Sequence, residues 1–183
     1  MIRTSVFLFL MIGLTFNTVA QSKYLCRNGQ ASFYSKAMAE NIEAHNGQTS
    51  AVLDTQTGAL AVSIPVSGFK FEKALMQEHF NENYMETGKY PKAIFRGQIE
   101  DFSNMDFSEP TPVKISGEIT IHGVTKAIQL EGTLGKQHEN MVGNAAFELN
   151  VADFDIKIPK VVINNIAETV QVMIDLEFKA QAN

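Results

Sequence analysis

The chain has 183 residues and a formal net charge of −5, from 15 lysine and arginine residues against 20 aspartate and glutamate residues. This acidic balance argues against a nucleic acid partner and against a polybasic membrane patch, and it identifies no other partner. The single cysteine excludes an intramolecular disulfide. We therefore expect Cys26 to be a small, partly buried apolar residue, with an intermolecular bridge as the alternative.

Residues 1–20 are typical of an export signal peptide. Arg3 precedes an apolar run, and Thr18 and Ala20 occupy the −3 and −1 positions of a small-residue cleavage site. The apolar run is about eleven residues long, shorter than the roughly twenty residues of a membrane-spanning helix. We therefore predict cleavage after Ala20, one mature domain at 21–183, no transmembrane helix, and a periplasmic or secreted location.

Alternation of apolar and polar residues predicts β-strands along most of the mature chain. The pattern is clearest at 170–179, where apolar residues occupy the even positions from Val170 to Phe178. Each strand then has one apolar and one polar face, as strands of antiparallel sheets usually do. In chain order, the predicted strands are 31–36, 39–45, 49–54, 60–66, 93–99, 113–121, 126–135, 145–151 and 170–179.

Turn-forming residues separate several of these strands. Asn28 with Gly29, and Asn46 with Gly47, each fit the two-residue turn of a β-hairpin. A slightly longer loop is expected at 54–58, where the sequence reads DTQTG.

Two segments depart from simple alternation. Residues 71–85 are rich in helix-forming side chains, and apolar residues recur there near helical spacing. We predict one amphipathic helix near 70–86 that packs its apolar stripe on the sheet. The apolar parity also shifts by one residue within 147–158, which predicts a bulge or a sharp bend near Ala152 and Asp153.

Many antiparallel strands and one helix predict a mainly β fold, an antiparallel barrel of about eight strands. Eight strands can close around a space that side chains fill, or around a cavity that holds one small ligand. Composition does not separate these two interiors.

Three segments of the sequence resemble the YceI-like family of exported, lipocalin-like barrels associated with the binding of polyisoprenoids and other lipids. The segment at 116–130, SGEITIHGVTKAIQL, has the strand, the Gly-Val-Thr-Lys turn and the second strand typical of the family. The segments at 75–97 and 150–159 match as well, and the resemblance extends over nearly all of the mature chain. It implies a lipocalin-like barrel with an apolar cavity for a lipid.

The resemblance implies that large apolar side chains on the inward strand faces surround this cavity, whereas an ordinary packed core is the alternative. Phenylalanine provides apolar area without a hydrogen-bonding group, which suits a hydrocarbon ligand. The predicted ligand-binding residues are Phe33, Ile64, Phe69, Met76, Phe80, Phe95, Ile99, Ile119, Ile121, His122, Phe147 and Phe154. Three lysines are either solvated or candidates for binding a phosphate or carboxylate headgroup, namely Lys126, Lys157 and Lys160.

His122 allows three interpretations. It closes a turn in which Gly123 supplies a special backbone angle, Thr125 bonds locally and Val124 packs inward. Alternatively, it faces a polar headgroup at the barrel mouth together with Lys126, or it is a catalytic or metal-binding group. The four histidines of the chain form neither an HxH nor an HExxH motif, so we predict no metal site and no cofactor.

We predict a periplasmic binding protein for a long-chain amphiphile, such as an isoprenoid, a quinone or a fatty-acid-like lipid, with a carrier or storage role and no catalysis. A homodimer is compatible with this role. The alternative is an enzyme acting on a lipid or small amphiphile, in which His122 or His79 works with Asp153 or Asp155. An eight-stranded outer-membrane barrel is a third alternative, which the internal helix and the absence of a terminal aromatic residue oppose.

Overall fold

The computed structural model describes residues 23–36, 41–158 and 167–181. Within these residues, nine β-strands and one short α-helix follow one another along the chain. The strands are β1 (Lys23–Ser35), β2 (Ile42–Asp54), β3 (Ala59–Pro65), β4 (Lys70–Phe71), β5 (Lys92–Ile99), β6 (Thr111–Ile121), β7 (Val124–Gln137), β8 (Asn140–Asn150) and β9 (Thr169–Ala180). Helix α1 (Ala74–His79) continues into a π-helical turn at Phe80–Tyr84.

Eight of these strands close into an antiparallel barrel. Hydrogen-bonded neighbours follow the order β1-β9-β8-β7-β6-β5-β3-β2, and β1 pairs with β2 to complete the ring. The two residues of β4 pair with the first half of β2. The predicted eight-stranded antiparallel barrel with one amphipathic helix is therefore confirmed.

The two ends of the barrel are closed by different elements. The β2–β3, β5–β6 and β7–β8 connections lie at one end, which we call the packed end. Helix α1, the β6–β7 turn and the segment after β8 lie at the other end, which we call the helix end. Any cavity between them is therefore bordered by strand connections on one side and by a helix on the other.

The strand alternation places the apolar residues inside the barrel. Along β9, Leu176 and Phe178 are buried, while the residues between and beside them are exposed. Successive side chains of a strand point to opposite faces of the sheet, so the even positions of β9 form part of the inner wall. The alternation that predicted this strand also predicts which of its residues face the interior.

The predicted hairpin turn at Asn28 and Gly29 is wrong. Strand β1 runs through both residues, and its pairing with β2 shifts register between Cys26 and Ala31. A Cβ atom on Gly29 would lie 2.5 Å from the Leu176 Cδ2 atom of neighbouring β9. This glycine therefore permits a close approach between strands, and Cys26 beside it is buried as a small apolar residue.

The predicted turn at Asn46 and Gly47 is also wrong, because β2 continues through it and joins two of the predicted strands. Asn46 is fully buried. Its Nδ2 atom donates to the Pro65 carbonyl at 2.8 Å, and its Oδ1 atom accepts from the Gln48 amide at 2.8 Å. The asparagine therefore ties an irregular point of β2 to the end of β3.

The helix is shorter than predicted at its N-terminal side. Phe71 pairs with Ala44 of β2 as part of β4, so the helical segment begins only at Ala74. Leu75, one of the apolar residues at helical spacing in this segment, has a relative exposure of 60% and does not pack on the sheet. The bend predicted after β8 is confirmed as a short 3-10 turn at Val151–Phe154.

Other predictions concern the chain ends and connections. The loop predicted at 54–58 is confirmed, and Gly58 there has a φ of 76°. The predicted signal peptide at 1–20 and the headgroup candidate Lys160 lie outside the described residues. Among the helices of the described ranges, none combines the length and the apolar character required to cross a membrane.

Aromatic residues from the β5–β6 connection cover the packed end. Phe102 is buried, and its ring centroid lies 4.8 Å from that of Phe107. Leu53, Leu134 and Phe178 lie beneath them in the main hydrophobic cluster. The packed end is therefore closed by apolar side chains.

Candidate functional site

Two apolar chambers lie inside the barrel. A chamber of about 330 Å³ lies at the helix end, and we call it the outer chamber. A smaller chamber of about 100 Å³ lies nearer the packed end, and we call it the inner chamber. The barrel interior therefore contains space that its own side chains do not fill.

Eleven of the twelve predicted ligand-binding residues line these chambers. Those on the outer chamber alone are Phe33, Phe69, Met76, Phe80, Ile121 and Phe154. Those on the inner chamber alone are Phe95 and Ile99. Those on both are Ile64, Ile119 and Phe147. Their placement makes contact with a ligand geometrically feasible, and their role in binding stays a prediction.

Four phenylalanines form one wall of the outer chamber. Phe33 comes from β1, Phe69 follows β3, Phe71 belongs to β4, and Phe80 follows α1. The ring centroids of Phe71 and Phe80 are 4.9 Å apart, and those of Phe33 and Phe69 are 5.3 Å apart. Aromatic pairs at such distances attract each other beyond their burial of apolar area. This cluster therefore holds the helix against the barrel and presents a firm aromatic surface to the chamber.

The rest of the chamber wall that comes from β6, β8 and β9 is aliphatic. Ile121, Leu149, Val170 and Val172 line it. Sequence reasoning missed Leu149, Val170 and Val172 as site residues, although it placed all three on apolar strand faces. Because these three residues lie on inward strand faces, their place in the chamber wall follows once the barrel is known to be hollow.

Few polar groups border the outer chamber. Ser35 is buried, and its Oγ atom accepts a hydrogen bond from the Ala167 amide at 3.0 Å. His79 and Tyr84 lie where the helix covers the chamber. Burial raises the pKa of the Tyr84 phenol above its ordinary value of 10.0, so this group is neutral at physiological pH. The chamber therefore suits an apolar guest and offers polar groups at its border.

A pair of glycines makes room for Phe95 in the inner chamber. Gly97 of β5 is directly opposite Gly117 of β6. A Cβ atom on Gly97 would lie 2.5 Å from the Phe95 Cζ atom, and one on Gly117 would lie 2.8 Å from it. The ring therefore lies flat along the wall over backbone, where larger residues would push it into the chamber.

His122 lies in the turn between β6 and β7. It has a φ of 50° and Gly123 has a φ of 79°, the positive values that a two-residue hairpin turn requires at both positions. Its Nδ1 atom is 3.1 Å from the Phe154 carbonyl oxygen, and its Nε2 atom is 3.1 Å from Glu86 Oε2. Its ring packs edge-on against Tyr90 at 4.5 Å. His122 thus connects three segments of the helix end and lies behind the chamber wall.

Local bonds support the turn interpretation of this segment. The Thr120 and Thr125 hydroxyl oxygens are 2.8 Å apart across the hairpin, and Val124 packs against the main core. A Cβ atom on Gly123 would lie 2.5 Å from the Tyr90 Cε1 atom. Gly123 is therefore required both by its backbone angle and by the ring beside it.

The two headgroup candidates within the described residues, Lys126 and Lys157, lie on the surface of the helix end. The Lys126 Nζ atom is 3.2 Å from Asp153 Oδ1, so its charge is already paired. Lys157 is exposed. Their part in headgroup binding stays a prediction.

Within the described residues, no hydrogen bond or ion pair joins His79 or His122 to Asp153 or Asp155. His79 lines the outer chamber, whereas His122 bonds to Glu86 and Asp153 bonds to Lys126. Asp155 is exposed. Among the residues that the structure describes, no three His, Cys, Asp or Glu side chains are grouped so as to hold a metal ion.

Comparison with protein families gives one match over most of the chain. The model of the YceI-like domain matches residues 25–178. No curated protein sequence matches the chain significantly.

Solved structures with the same fold include three from different bacteria. A polyisoprenoid binding domain from Saccharophagus degradans, implicated in plant cell wall breakdown, gives a TM-score of 0.75 at 16% identity, covering 88% of this chain and 99% of that chain. BcnA from Burkholderia cenocepacia gives 0.69 at 18% identity, covering 81% and 95%. The YceI protein of Campylobacter jejuni gives 0.63 at 18% identity, covering 81% and 90%. At such identities the similarity establishes the fold alone.

Proposed function

We propose, since this chain belongs to the YceI-like family, that it is a periplasmic binding protein that holds a long-chain amphiphile in its barrel. The apolar tail occupies the outer chamber, and the polar head lies at the helix end. The protein shields the tail from water as a carrier or a store and performs no chemistry on it. Export follows cleavage after Ala20.

The observation that carries this proposal is the outer chamber itself. Its volume of about 330 Å³ falls within the range of pockets that hold small molecules, roughly 300–1,000 Å³. Its walls combine the aromatic cluster with aliphatic strand faces. An interior of this kind offers a polar substrate few directional partners, all at its border, and suits a hydrocarbon tail.

Burial of the tail supplies the binding free energy. Each buried methylene contributes about 0.8 kcal/mol, so a tail of several carbons binds without polar recognition. Ordering a flexible tail offsets part of this gain. The class of ligand is supported by the Saccharophagus degradans relative, which is described as a polyisoprenoid binding domain.

The head of the amphiphile is placed at the helix end because the packed end is closed by apolar side chains. Lys157 is exposed there, and Lys126 lies in its ion pair with Asp153. A lysine ammonium recognises phosphate or carboxylate as a point charge. We therefore assign these two lysines to a modest preference for anionic heads.

Native mass spectrometry of the mature protein tests the proposal. We expect the protein to retain one lipid per chain, or one per dimer, and extraction to release an isoprenoid, a quinone or a fatty-acid-like compound. A protein that stays empty after incubation with all three classes contradicts the proposal.

A matched pair of variants on β9 locates the lipid. Val172 lines the outer chamber, whereas the next residue, Met173, points outward with a relative exposure of 37%. Val172→Trp is expected to fill the chamber and abolish lipid retention, and Met173→Trp to retain the lipid. Retention of the lipid by folded Val172→Trp would place the lipid elsewhere.

A further inference from the structure

The two chambers meet at a ring of five side chains that line both of them. We call this ring the neck; its members are Ile64, Ala93, Ile119, Phe147 and Ile174. They come from five different strands, β3, β5, β6, β8 and β9. A tail that enters from the helix end therefore reaches the neck before it reaches the inner chamber.

Phe147 is the largest member of the neck. Around the ring of strands, β8 is four strands away from β3, so Phe147 and Ile64 face each other across the barrel. In the same way, Ile174 of β9 faces Ala93 of β5. The largest side chain of the neck therefore lies opposite Ile64, while the small Ala93 leaves room opposite Ile174.

The surroundings of Phe147 leave its ring room to move. It is only half-buried, since it borders open space on both sides of the neck. Within the described strands, the pairing between β7 and β8 runs from Gly132 with Ala145 to Gln137 with Asn140. Phe147 lies beyond this stretch, on a part of β8 that pairs with β9 alone.

We infer that Phe147 is the residue that sets the length of the bound tail. A tail that fits the outer chamber ends against its ring. A longer tail enters the inner chamber only after the ring turns aside. This inference rests on the proposed function and specifies the ligand class as amphiphiles with a tail that ends at the neck.

Binding of a series of straight-chain fatty acids, from octanoic to eicosanoic acid, measures this limit. Each added methylene tightens binding about fourfold while the tail grows within the outer chamber, the equivalent of about 0.8 kcal/mol. We expect this increment to disappear at the length at which the tail meets Phe147. In Phe147→Ala, the increment is expected to continue to longer acids.

Two alanines on the same strand provide the controls. Ala145 lines the inner chamber, whereas Ala146 is exposed on the outer face. Ala145→Leu fills the inner chamber, so combined with Phe147→Ala it is expected to restore the shorter limit. Ala146→Leu makes the same change in size on the outer face. Combined with Phe147→Ala, it is expected to leave the longer tail-length limit of that variant unchanged.

The outcomes separate this inference from the proposed function. If no fatty acid binds the wild-type protein, the series is repeated with prenyl alcohols of increasing length. A protein that binds neither series and no quinone contradicts the proposed function itself. If the acids bind but the limit stays at the same length in folded Phe147→Ala, Phe147 does not set it. Phe147→Leu, which keeps an apolar side chain at the neck, replaces the alanine variant if that variant fails to unfold cooperatively.

Discussion

The two ends of the barrel use the same alternating strands for opposite purposes. At the packed end, Leu53 and Phe178 are almost completely buried, and the rings of Phe102 and Phe107 close the interior above them. At the helix end, the same strand faces border a chamber of about 330 Å³, and Phe147 is only half-buried. Strand pattern alone therefore determines which residues face inward, and the closing elements determine whether those residues touch.

The packed end and the helix end are expected to contribute differently to stability and to ligand binding. A side chain at the packed end is shielded from solvent and borders only the small inner chamber, so its loss enlarges the empty space. A side chain on the outer chamber already borders space, and polar contacts such as those of His122 hold the elements that cover it. Substitutions at the two ends are therefore expected to differ in size and in what they change.

The largest effect is expected from Phe178→Ala at the packed end. Replacing a buried phenylalanine by alanine lowers the free energy of unfolding by about 3–5 kcal/mol, because the burial of the removed ring atoms is lost and a cavity is left behind. Phe178 is 2% exposed, whereas Phe147 is half-buried at the neck, so Phe147→Ala is expected to cost about half as much or less. Urea unfolding of both variants measures the difference, and equal losses would show that the neck is as tightly packed as the closed end.

Gly123→Ala tests the turn at the helix end. The φ of 79° costs a residue with a side chain about 1–2 kcal/mol, and the new Cβ atom would lie 2.5 Å from the Tyr90 ring. We expect a loss of about 2 kcal/mol or more in the free energy of unfolding. Gly88 has no heavy atom within 4 Å of an added Cβ atom, so Gly88→Ala is the control and is expected to change stability by less than about 0.5 kcal/mol. Similar stabilities of the two variants contradict the assignment of strain to Gly123.

His122→Ala is expected to have a smaller and more local effect. It removes the bonds to the Phe154 carbonyl and to Glu86, at about 1–2 kcal/mol. Hydrogen exchange is expected to rise in the 3-10 turn after β8 and to stay unchanged at the packed end. His45, which is exposed and pairs with Glu43 at 3.0 Å, provides the control, since His45→Ala is expected to cost at most about 0.5 kcal/mol. Uniformly faster exchange over the barrel would show that His122 supports the whole fold.

Most of the fold was predictable because strand alternation is a local signal. The errors come from contacts between residues that are distant in the sequence. Asn46 with Gly47 has the sequence of a hairpin turn, yet the side chain of Asn46 bonds to Pro65. Phe71 fits the helical pattern, yet it pairs with Ala44 as an added strand. In both places a partner elsewhere in the chain overrides the local preference.

The existence of the chamber could not be predicted from the alternation of apolar and polar residues. Inward parity selects the same residues for a solid core and for a hollow one, because it does not report how much volume remains between them. That volume depends on details such as Gly97 and Gly117 accommodating the Phe95 ring. It also depends on the position at which helix α1 packs over the end of the barrel. His122, counted among the ligand-binding residues, faces backbone and carboxylate oxygens instead, because the turn directs its ring toward Glu86 and Phe154.

The pKa of the Tyr84 phenol provides a probe of the outer chamber, which this residue lines. Burial raises the pKa of its phenol in the folded protein above 10.0, so its contribution to stability is fully present below pH 10 and is lost as the pH rises through the folded value. Difference ultraviolet titration against Tyr84→Phe is expected to show that the Tyr84 phenol ionises above pH 10.0, and the variant is expected to lose less stability in the alkaline range. A bound tail excludes further water and is expected to raise this pKa again. An unchanged pKa in the presence of a bound lipid would place the tail away from Tyr84.

The smallest effect is expected from the ion pair between Lys126 and Asp153. The two atoms are 3.2 Å apart, but both side chains are about half exposed, so a double-mutant cycle is expected to give at most about 1 kcal/mol of coupling, falling with added salt.

The same ion pair is expected to have a clearer effect on the binding of an anionic ligand. Asp153→Ala frees the Lys126 ammonium and is expected to tighten binding of a fatty acid relative to the alcohol of the same length, by no more than about fivefold. Lys126→Ala is expected to shift the same ratio in the opposite direction, because the neutral alcohol offers no charge to recognise. Equal ratios in both variants would show that Lys126 only ties the turn after β8 to β7, and would leave Lys157 to recognise an anionic head.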